Sequence, residues 1–435
     1  MPSIALRLRN IAKRQKSPAS ASGEILFVQN YVRTRMKTTL PAVALGLASF
    51  LFFLWNIGTP KDYGIDEFIF VPAANALLAH APDPDPEGPP LGKLIIAVGI
   101  KVLGNNSVGW RVASAAFGSL TMVGVFFWVC LLADSYSAAL TAALLTLLNN
   151  FVYIFSRTAL LEIFFIALLI WGLMGFTAAL KLRDASRTAR RGWLLFSGIM
   201  FGFAGACKWN ALDTWGIAVG ACAVLLWLSK RSTNPEIEEL GRNLRATGIG
   251  WVATSLVGAP AVAYALAFVP FLHPVSIHEW IARNHYIWSY HRAQIGNVFL
   301  CTPWYTWPLK IEPLRAFSYL VGNWYIMWAG LLALLICMRR FGTSFAETFL
   351  VVLYAGNLLQ WPFTPQHCLF YYYYFACAMF VTVAIPIALR QFPERVWGLR
   401  LSLLSVLPAV FVFAYCFPRM AHLPPPFDCA LGCWP

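Results

Sequence analysis

Apolar runs of about 20 residues recur along the chain, and polar residues collect between them. A helical run of that length matches the hydrocarbon thickness of a bilayer. The clearest runs cover residues 39–57, 108–132, 159–180 and 249–269. With the weaker runs included, the pattern predicts an all-α membrane protein with about eleven transmembrane helices.

The composition agrees with lipid as the solvent. Of 435 residues, 59% are hydrophobic and 12% are charged, which is too little charge to cover a soluble protein of this size. The formal net charge of +14 raises the question of nucleic acid. The lysines and arginines fall in alternate loops instead, which predicts membrane lipids with anionic headgroups, and no nucleic acid, as partners.

The basic residues also predict an orientation. They precede the first apolar run and then cluster at residues 181–191, 230–245, 339–340 and 390–400. With eleven spans these segments share one side, which the positive-inside rule makes cytoplasmic, so the C-terminus lies outside. The predicted layout is a basic cytoplasmic leader at 1–38, a transmembrane domain at 39–417 that begins with a retained anchor, and an outer tail at 418–435.

The ten cysteines show no paired zinc-type spacing. Cys130, Cys222 and Cys377 lie in apolar runs, which is typical of packing residues. Only Cys429 and Cys433 invite a disulfide, because both fall in the predicted outer tail, where oxidation is permitted. Two free thiols remain an equal alternative for that pair.

Two long segments, 58–107 and 271–315, fall on the predicted outer face, and function should concentrate there. In the first, the Pro-rich run at 82–90 predicts a stiff, solvated spacer. Asp83-Pro84-Asp85 imitates a metal-binding D-x-D motif, but the prolines on both sides favour the spacer. Residues 91–103 are too short to span easily and predict an interfacial helix that ends at Gly104.

The second outer segment carries histidines and an aromatic run. His273, His278, His285 and His291 lack the H-x-x-x-H pair of a helical zinc site, so a metal is disfavoured. The aromatic run at 304–308 is typical of a belt at the headgroup level.

Asp66 and Glu67 are either surface charges or a catalytic acid pair. Neighbouring helical residues point about 100° apart, so at most one faces a given cavity and the other caps or pairs.

Four further ionisable residues, Arg111, Arg157, Glu162 and Lys208, lie near the outer ends of predicted spans. A charge there is costly unless it is paired, wetted or snorkels to the interface. Together these residues predict an outer cavity where cations bind phosphate and carboxylates deprotonate an acceptor.

Six short motifs follow one another along nearly the whole chain. They are Ile65-Asp66-Glu67, Pro89-Pro90-Leu91-Gly92-Lys93-Leu94, Gly109-Trp110-Arg111 with Phe117-Gly118, Ser156-Arg157-Thr158-Ala159-Leu160-Leu161-Glu162, Lys208-Trp209, and the outer-loop pair Trp288-Ser289-Tyr290-His291 and Thr302-Pro303-Trp304-Tyr305-Thr306-Trp307-Pro308-Leu309. In this order they resemble the motifs of the GT-C membrane glycosyltransferases, specifically the protein O-mannosyltransferases of glycosyltransferase family 39. The layout resembles the bacterial members, without the soluble lumenal domain.

The resemblance implies an inverting enzyme that moves a sugar, mannose in this family, from a polyprenyl-phosphate donor to a Ser/Thr hydroxyl of a protein at the outer membrane face. It assigns Asp66 as the general base, with Glu67 orienting a neighbour or the acceptor. Arg111, Arg157 and Lys208 are the candidate ligands of the donor phosphate. The candidate substrate-binding residues are Lys93, Glu162, Trp209, His291, Trp304 and Trp307. Because a phosphomonoester leaving group carries less charge than a nucleoside diphosphate, we expect no metal and no cofactor.

The chain departs from the family pattern at three places. Gly88 stands where the family has His, Glu162 replaces Asp, and the tyrosines at 371–374 lack the Arg and His expected near the tenth span. A lipid or glycolipid acceptor is therefore an alternative. A transporter or flippase is weaker, because polar residues gather in outer loops and not on broken helices near the midplane. A dimer, the sugar and the activity of this copy also stay open.

Overall fold

The computed structural model describes residues 38–182, 185–272, 276–293, 301–310, 322–364, 368–396 and 399–423. The chain forms two units, Met1–Leu45 and Gly46–Pro435. The described part of the first unit is the start of helix α1 (Thr38–Leu54). In the described parts of the second unit, helices account for nearly all regular structure, beside one antiparallel strand pair, β1 (Arg395–Val396) with β2 (Leu399–Arg400). The all-α prediction is confirmed.

The helices after α1 are, in chain order, α2 (Glu67–Leu78), α3 (Leu91–Leu103), α4 (Ser107–Ala133), α5 (Tyr136–Leu147), α6 (Asn150–Phe155), α7 (Leu161–Lys181), α8 (Arg187–Cys207), α9 (Ala211–Leu228), α10 (Pro235–Thr247), α11 (Ile249–Phe271), α12 (Ile277–Ala293), α13 (Trp324–Cys337), α14 (Phe345–Leu359), α15 (Tyr371–Leu389) and α16 (Leu401–Met420). Helix α11 contains a π-helical turn, Thr254–Gly258, and α15 begins with a 3₁₀ turn, Tyr371–Tyr374. Short 3₁₀ turns also occur at Trp304–Leu309 and Trp361–Phe363.

Six helices in the described ranges are long and apolar enough to cross a membrane: α4, α7, α9, α11, α15 and α16. The runs predicted at 108–132, 159–180 and 249–269 correspond to three of them, and the run at 39–57 corresponds to the shorter α1. Other helices, among them α5, α8, α13 and α14, are shorter or more polar. The total of eleven spans stays a prediction.

The interfacial-helix segment forms α3 with the predicted bounds. Gly104 ends it with a φ of 85°, a left-handed conformation that glycine adopts without steric cost. The next helix starts two residues later, where the Asn106 side chain accepts hydrogen bonds from the amides of Val108 and Gly109. α3 therefore turns back directly onto α4, against which it packs.

Helix α7 is the centre of the second unit and packs between α4 and α8. Glycines allow α3 and α4, which carry two of the motifs, to approach α7 and the turn before it. A Cβ added at Gly118 of α4 would lie 2.0 Å from Ser156 Oγ, and one at Gly92 of α3 would lie 2.4 Å from the Leu161 side chain. These contacts leave room only for hydrogen, so the glycines of two motifs set the distances between their helices.

Candidate active site

Asp66 and Glu67 start α2, and their side chains point in different directions. Asp66 is the N-cap residue with a left-handed φ of 47°, a conformation that Asp and Asn tolerate better than most residues. Its carbonyl accepts hydrogen bonds from the amides of Ile69 and Phe70, which fixes the first turn. The adjacent carboxylates therefore enter separate environments.

Glu67 is fully buried and holds three segments together. Its oxygens accept hydrogen bonds from Arg111 Nε at 2.7 Å and Nη2 at 2.6 Å, from the Ala159 amide at 2.7 Å and from the Gly64 amide at 2.8 Å. A carboxylate with four donors is unavailable for proton transfer. These contacts fit the expectation that Glu67 orients a neighbour or the acceptor, which stays a prediction.

Arg111 is saturated by protein acceptors. Besides Glu67, its guanidinium donates to the carbonyls of Ile57, Pro60 and Asp62 at 2.7 to 3.1 Å. These three bonds and the two to Glu67 use all five N–H donors of an arginine. Its N–H donors are thus occupied by the protein, and the expectation that Arg111 binds the donor phosphate stays a prediction.

Arg157 also serves the fold. Its Nη1 donates to the carbonyls of Phe53 and Trp55, and its Nη2 to that of Asn56 at 3.0 Å. These carbonyls lie at the end of α1, where helical acceptors lack partners and a cation is favourable. Arg157 thus caps a helix, and the expectation that it binds the donor phosphate stays a prediction.

Asp66 faces a second cluster, at the N-terminal ends of α7 and α15. Its Oδ2 accepts a hydrogen bond from the Tyr372 hydroxyl at 3.3 Å. Lys208 follows α8 and donates to Glu162 Oε1 at 2.5 Å. The Lys208 ammonium also lies 5.0 Å and 4.6 Å from the ring centres of Tyr372 and Tyr373.

The electrostatics of this cluster suit a base. Burial raises the pKa of Asp66 to about 6, the charges of Glu162 and Asp85 add to the rise, and Lys208 and the Tyr372 hydroxyl oppose it. A carboxylate with a pKa near neutrality can both accept a proton and release it again. The structure thus brings together Asp66, Glu162 and Lys208, three of the residues selected from the sequence.

Tyr372 and Tyr373 were not selected from the sequence. The tyrosine run at 371–374 was visible only as a departure from the family pattern. The signal for Tyr372 and Tyr373 is a run of four aromatic residues just before an apolar span, in a chain with a predicted outer site.

Lys93 lies in a buried ion network instead of an open site. Its ammonium contacts Asp83 Oδ2 at 2.8 Å and Asp85 Oδ2 at 3.3 Å and also binds the Asp85 carbonyl, while Arg283 of α12 contacts Asp83 at 2.6 Å. The Lys93 side chain is 0% exposed, and those of both aspartates are less than 10% exposed. The prediction of a solvated spacer is therefore wrong, because cations from two other segments neutralise the aspartates.

Trp209, at the junction of α8 and α9, lies beside His291 of α12. The Trp209 indole donates to the Tyr264 hydroxyl at 2.9 Å, and its ring lies 6.1 Å from that of His291 and 6.4 Å from that of Trp288. Because Trp209 follows Lys208 directly, this aromatic group adjoins the Asp66 cluster. Substrate binding by Trp209 and His291 stays a prediction.

Trp307 is a packing residue. It is fully buried, its indole donates to Thr302 Oγ1 at 2.8 Å, and its ring contacts those of Trp361 and Tyr374. These contacts indicate packing, and the expectation that Trp307 binds substrate stays a prediction. Trp304 is partly exposed, and its role stays a prediction.

Cys301 and Cys368 form a disulfide that was missed in the sequence, where only Cys429 and Cys433 were considered. The amide of Thr302 donates to the Leu369 carbonyl at 2.7 Å, so the bond joins the aromatic run at 304–308 to the segment before Tyr372. Cys429, Cys433 and His273 lie outside the described residues. Among the described residues, no three His, Cys, Asp or Glu side chains are grouped so that they could hold a metal ion.

Comparisons with known proteins agree with this architecture. Residues 101–273 match the family model described as dolichyl-phosphate-mannose-protein mannosyltransferase. A polyprenol-phosphate-mannose–protein mannosyltransferase of Mycolicibacterium smegmatis is 22% identical, over 88% of this chain and 89% of that protein. The corresponding Corynebacterium glutamicum protein is 24% identical over 71% of each.

The fold is similar to that of the S. cerevisiae protein O-mannosyltransferase Pmt1-Pmt2 complex bound to the sugar donor, with a TM-score of 0.75 and 12% identity over 89% of this chain and 90% of that one. In fold and in sequence the chain is similar to protein O-mannosyltransferases. The fold is also similar to that of ArnT from Cupriavidus metallidurans bound to undecaprenyl phosphate, with a TM-score of 0.60 and 15% identity over 88% of this chain and 69% of that one. The family resemblance of the motifs and the multi-pass membrane architecture are confirmed.

Proposed function

We propose that this protein transfers mannose from a polyprenyl phosphate to a hydroxyl group of a protein at the outer membrane face. The observation that carries the proposal is the separation of Asp66 from Glu67. The Glu67 carboxylate forms a buried ion pair with Arg111. The Asp66 carboxylate faces Lys208, Glu162 and Tyr372 and has a pKa of about 6. The relatives' names supply the sugar, the lipid carrier and the acceptor class.

The chemistry is a single displacement with inversion. The acceptor oxygen bonds to the anomeric carbon while the bond from that carbon to the phosphate oxygen breaks. Asp66 takes the hydroxyl proton, and the polyprenyl phosphate leaves with the electron pair. General-base assistance of this kind contributes about 10²–10⁴-fold.

For the leaving phosphate we propose cations other than Arg111 and Arg157, whose guanidinium groups already donate to protein acceptors. Lys208 and Arg283 are the candidates, because their side chains are 17% and 18% exposed and each is held by one carboxylate. A phosphate that carries more than one negative charge can compete for such donors. We propose that these cations stabilise the leaving group without a metal.

The proposed orientation places the cluster outside and the basic loops in the cytoplasm. The Cys301–Cys368 disulfide supports it, because such bonds persist in oxidising compartments. The isoprenoid tail of the donor would then lie in the bilayer beside the helices, within reach of the outer site.

The test is transfer of label from radioactive polyprenyl-phosphate mannose to endogenous acceptors in membranes. Asp66→Asn is compared with wild type and with Asp134→Asn, each at matched expression. Asp134 is a suitable control because it is exposed and has a φ of 48°, nearly that of Asp66. We expect label with wild type and Asp134→Asn, and at least a 100-fold loss with Asp66→Asn.

The product separates the acceptor classes. Label that protease releases supports a protein acceptor, and label that organic solvent extracts intact would mean a lipid acceptor. Equal label with Asp66→Asn would refute its role as the base. An absence of label with wild type would refute mannose transfer from this donor.

A further inference from the structure

We propose that Tyr372 is a positioning residue for the reaction, which fixes the position of the Asp66 carboxylate relative to the Lys208 ammonium. The inference rests on the proposed function, because it assigns Asp66 as the base and Lys208 as a ligand of the leaving group. It adds a residue that none of the short motifs contains.

A single side chain touches both charged groups. The Tyr372 hydroxyl lies 3.3 Å from Asp66 Oδ2, and the centre of its ring lies 5.0 Å from Lys208 Nζ. The carboxylate belongs to the start of α2 and the ammonium to the junction of α8 and α9. Tyr372 therefore fixes the relative position of two groups that otherwise depend on separate helices.

The turn that carries Tyr372 is built to present it. In a 3₁₀ turn residues i and i+3 share a face, and Tyr371 and Tyr374 both lie fully buried. The Tyr374 hydroxyl lies 3.2 Å from that of Tyr354, and its ring contacts Trp307. With that face anchored, Tyr372 and Tyr373 are left facing Lys208.

The hydroxyl also adjusts the charge of the base. Four groups act on Asp66: Glu162 from α7, Lys208 from the α8–α9 junction, Tyr372 from α15 and Asp85 from the first outer segment. The two carboxylates favour the neutral acid, whereas the ammonium and the hydroxyl favour the ionised base. Without the hydroxyl, Asp66 should ionise at higher pH.

Two substitutions separate the roles of the hydroxyl and the ring. Tyr372→Phe removes the hydroxyl and keeps the ring, and Tyr372→Leu removes both. Tyr136→Phe is the matched control, because Tyr136 is 41% exposed at the start of α5, remote in sequence from the cluster. For each protein in detergent, kcat and the donor KM are measured from about pH 5 to about pH 8.

For Tyr372→Phe we expect the acid limb of kcat/KM to move up by about half to one pH unit, which is a loss of about three- to tenfold at low pH and little loss at pH 8. Tyr372→Leu should also raise the donor KM, because Lys208 loses a ring face. An unchanged acid limb in Tyr372→Phe would overturn the proposal. An equal loss at every pH together with a lower Tm would also overturn it, because that pattern means a structural role alone.

Thermal stability gives a reading that does not need turnover. The difference in Tm between a protein and its Asp66→Asn variant, followed against pH, reports the ionisation of Asp66 in the folded state. Its midpoint should be higher in the Tyr372→Phe background than in the Tyr372 background. If wild type transfers no mannose, the proposed function fails, and this midpoint still decides whether Tyr372 acts on Asp66.

Discussion

Arg111 of α4 donates hydrogen bonds to both carboxylate oxygens of Glu67 on α2, at 2.7 and 2.6 Å, and both side chains are almost completely buried. The pair joins the start of α2 to α4 and, through the Ala159 amide, to the turn before α7. Glu67, which the motifs suggest as catalytic, and Arg111, which they suggest as a ligand of the donor phosphate, therefore pair beside Asp66 and hold the start of α2 in place.

Arg111→Met should destabilise the protein strongly. Removing one partner of a buried ion pair costs about 3–5 kcal/mol, because the remaining charge is left without compensation. The measurement is Tm in detergent, with Arg400→Met as control, because Arg400 and Glu394 form an exposed pair at 3.5 Å. The control should change Tm little.

The double variant Arg111→Met with Glu67→Leu should recover part of the lost stability, since neither charge is then buried alone. An Arg111→Met protein with wild-type Tm and a donor KM raised tenfold would contradict this account. That outcome would return Arg111 to the phosphate site.

Activity should rise with pH through about 6. The base must be ionised, and burial raises the pKa of Asp66 to about 6. Stability has the opposite dependence: the protonated acid favours folding below its usual pKa of 3.8, and that contribution is lost as pH rises through about 6. The Tm of Asp66→Asn should therefore exceed that of wild type at pH 8 and approach it near pH 4.

The pH dependence of activity and that of Tm are both measured with wild type and Asp66→Asn, and Asp134→Asn serves as the control for both. A pH-independent rate between pH 5 and 8, with turnover known to be limited by the sugar transfer, would show that Asp66 does not titrate in this range.

Reduction of the Cys301–Cys368 disulfide should lower transfer. The bond and the adjacent Thr302 to Leu369 hydrogen bond hold the segment before Tyr372, so their loss loosens the aromatic turn. Dithiothreitol should slow wild type and the Cys130→Ser control, but should have no further effect on Cys301→Ser with Cys368→Ser. The double variant should have a lower Tm, because the bond closes a loop with a sequence separation of 67 residues.

Thiol labelling followed by mass spectrometry shows whether the bond is open in each sample. Full activity of wild type with Cys301 and Cys368 both labelled would mean that the turn holds its shape without the bond.

Gly88→His should fold normally. The substitution introduces the histidine that the protein O-mannosyltransferases resembled by the motifs have at this position. A Cβ at Gly88 meets nothing within 4 Å, so the larger side chain has room. The control is Gly118→Ala, where the added Cβ would lie 2.0 Å from Ser156 Oγ and the helix contact must open. We expect an unchanged Tm for the first and a marked drop for the second. A drop of similar size for Gly88→His would show that the loop is tighter than the structure indicates.

The parts of the fold that depend on local pattern were predictable. The bounds of α3 follow from its apolar length and Gly104, and the apolar runs at 108–132 and 249–269 match α4 and α11. The expectation that the carboxylates of Asp66 and Glu67 would point in different directions also agrees with the structure, although Asp66 is the N-cap and not a helical residue. These features need no knowledge of distant contacts.

The errors share one cause, which is pairing over long distances in the chain. The residues of Asp83-Pro84-Asp85 look solvated until Arg283, 200 positions away, is placed beside Asp83. Arg111 looks like a free cation until Glu67, 44 positions earlier, occupies it. A sequence displays the charges, whereas their neutralisation depends on the packing of the helices.

The left-handed backbone at Asp66 bears on how genomes are searched for relatives of this protein. Only a few residue types other than glycine tolerate that conformation well, and Asn is the one closest to Asp in shape. A gene that had lost the reaction but kept its fold would be expected to drift to Asn at this position while retaining Glu67. The dipeptide Asn-Glu at the start of α2 would then distinguish inactive homologues from active ones in a survey that uses sequence alone.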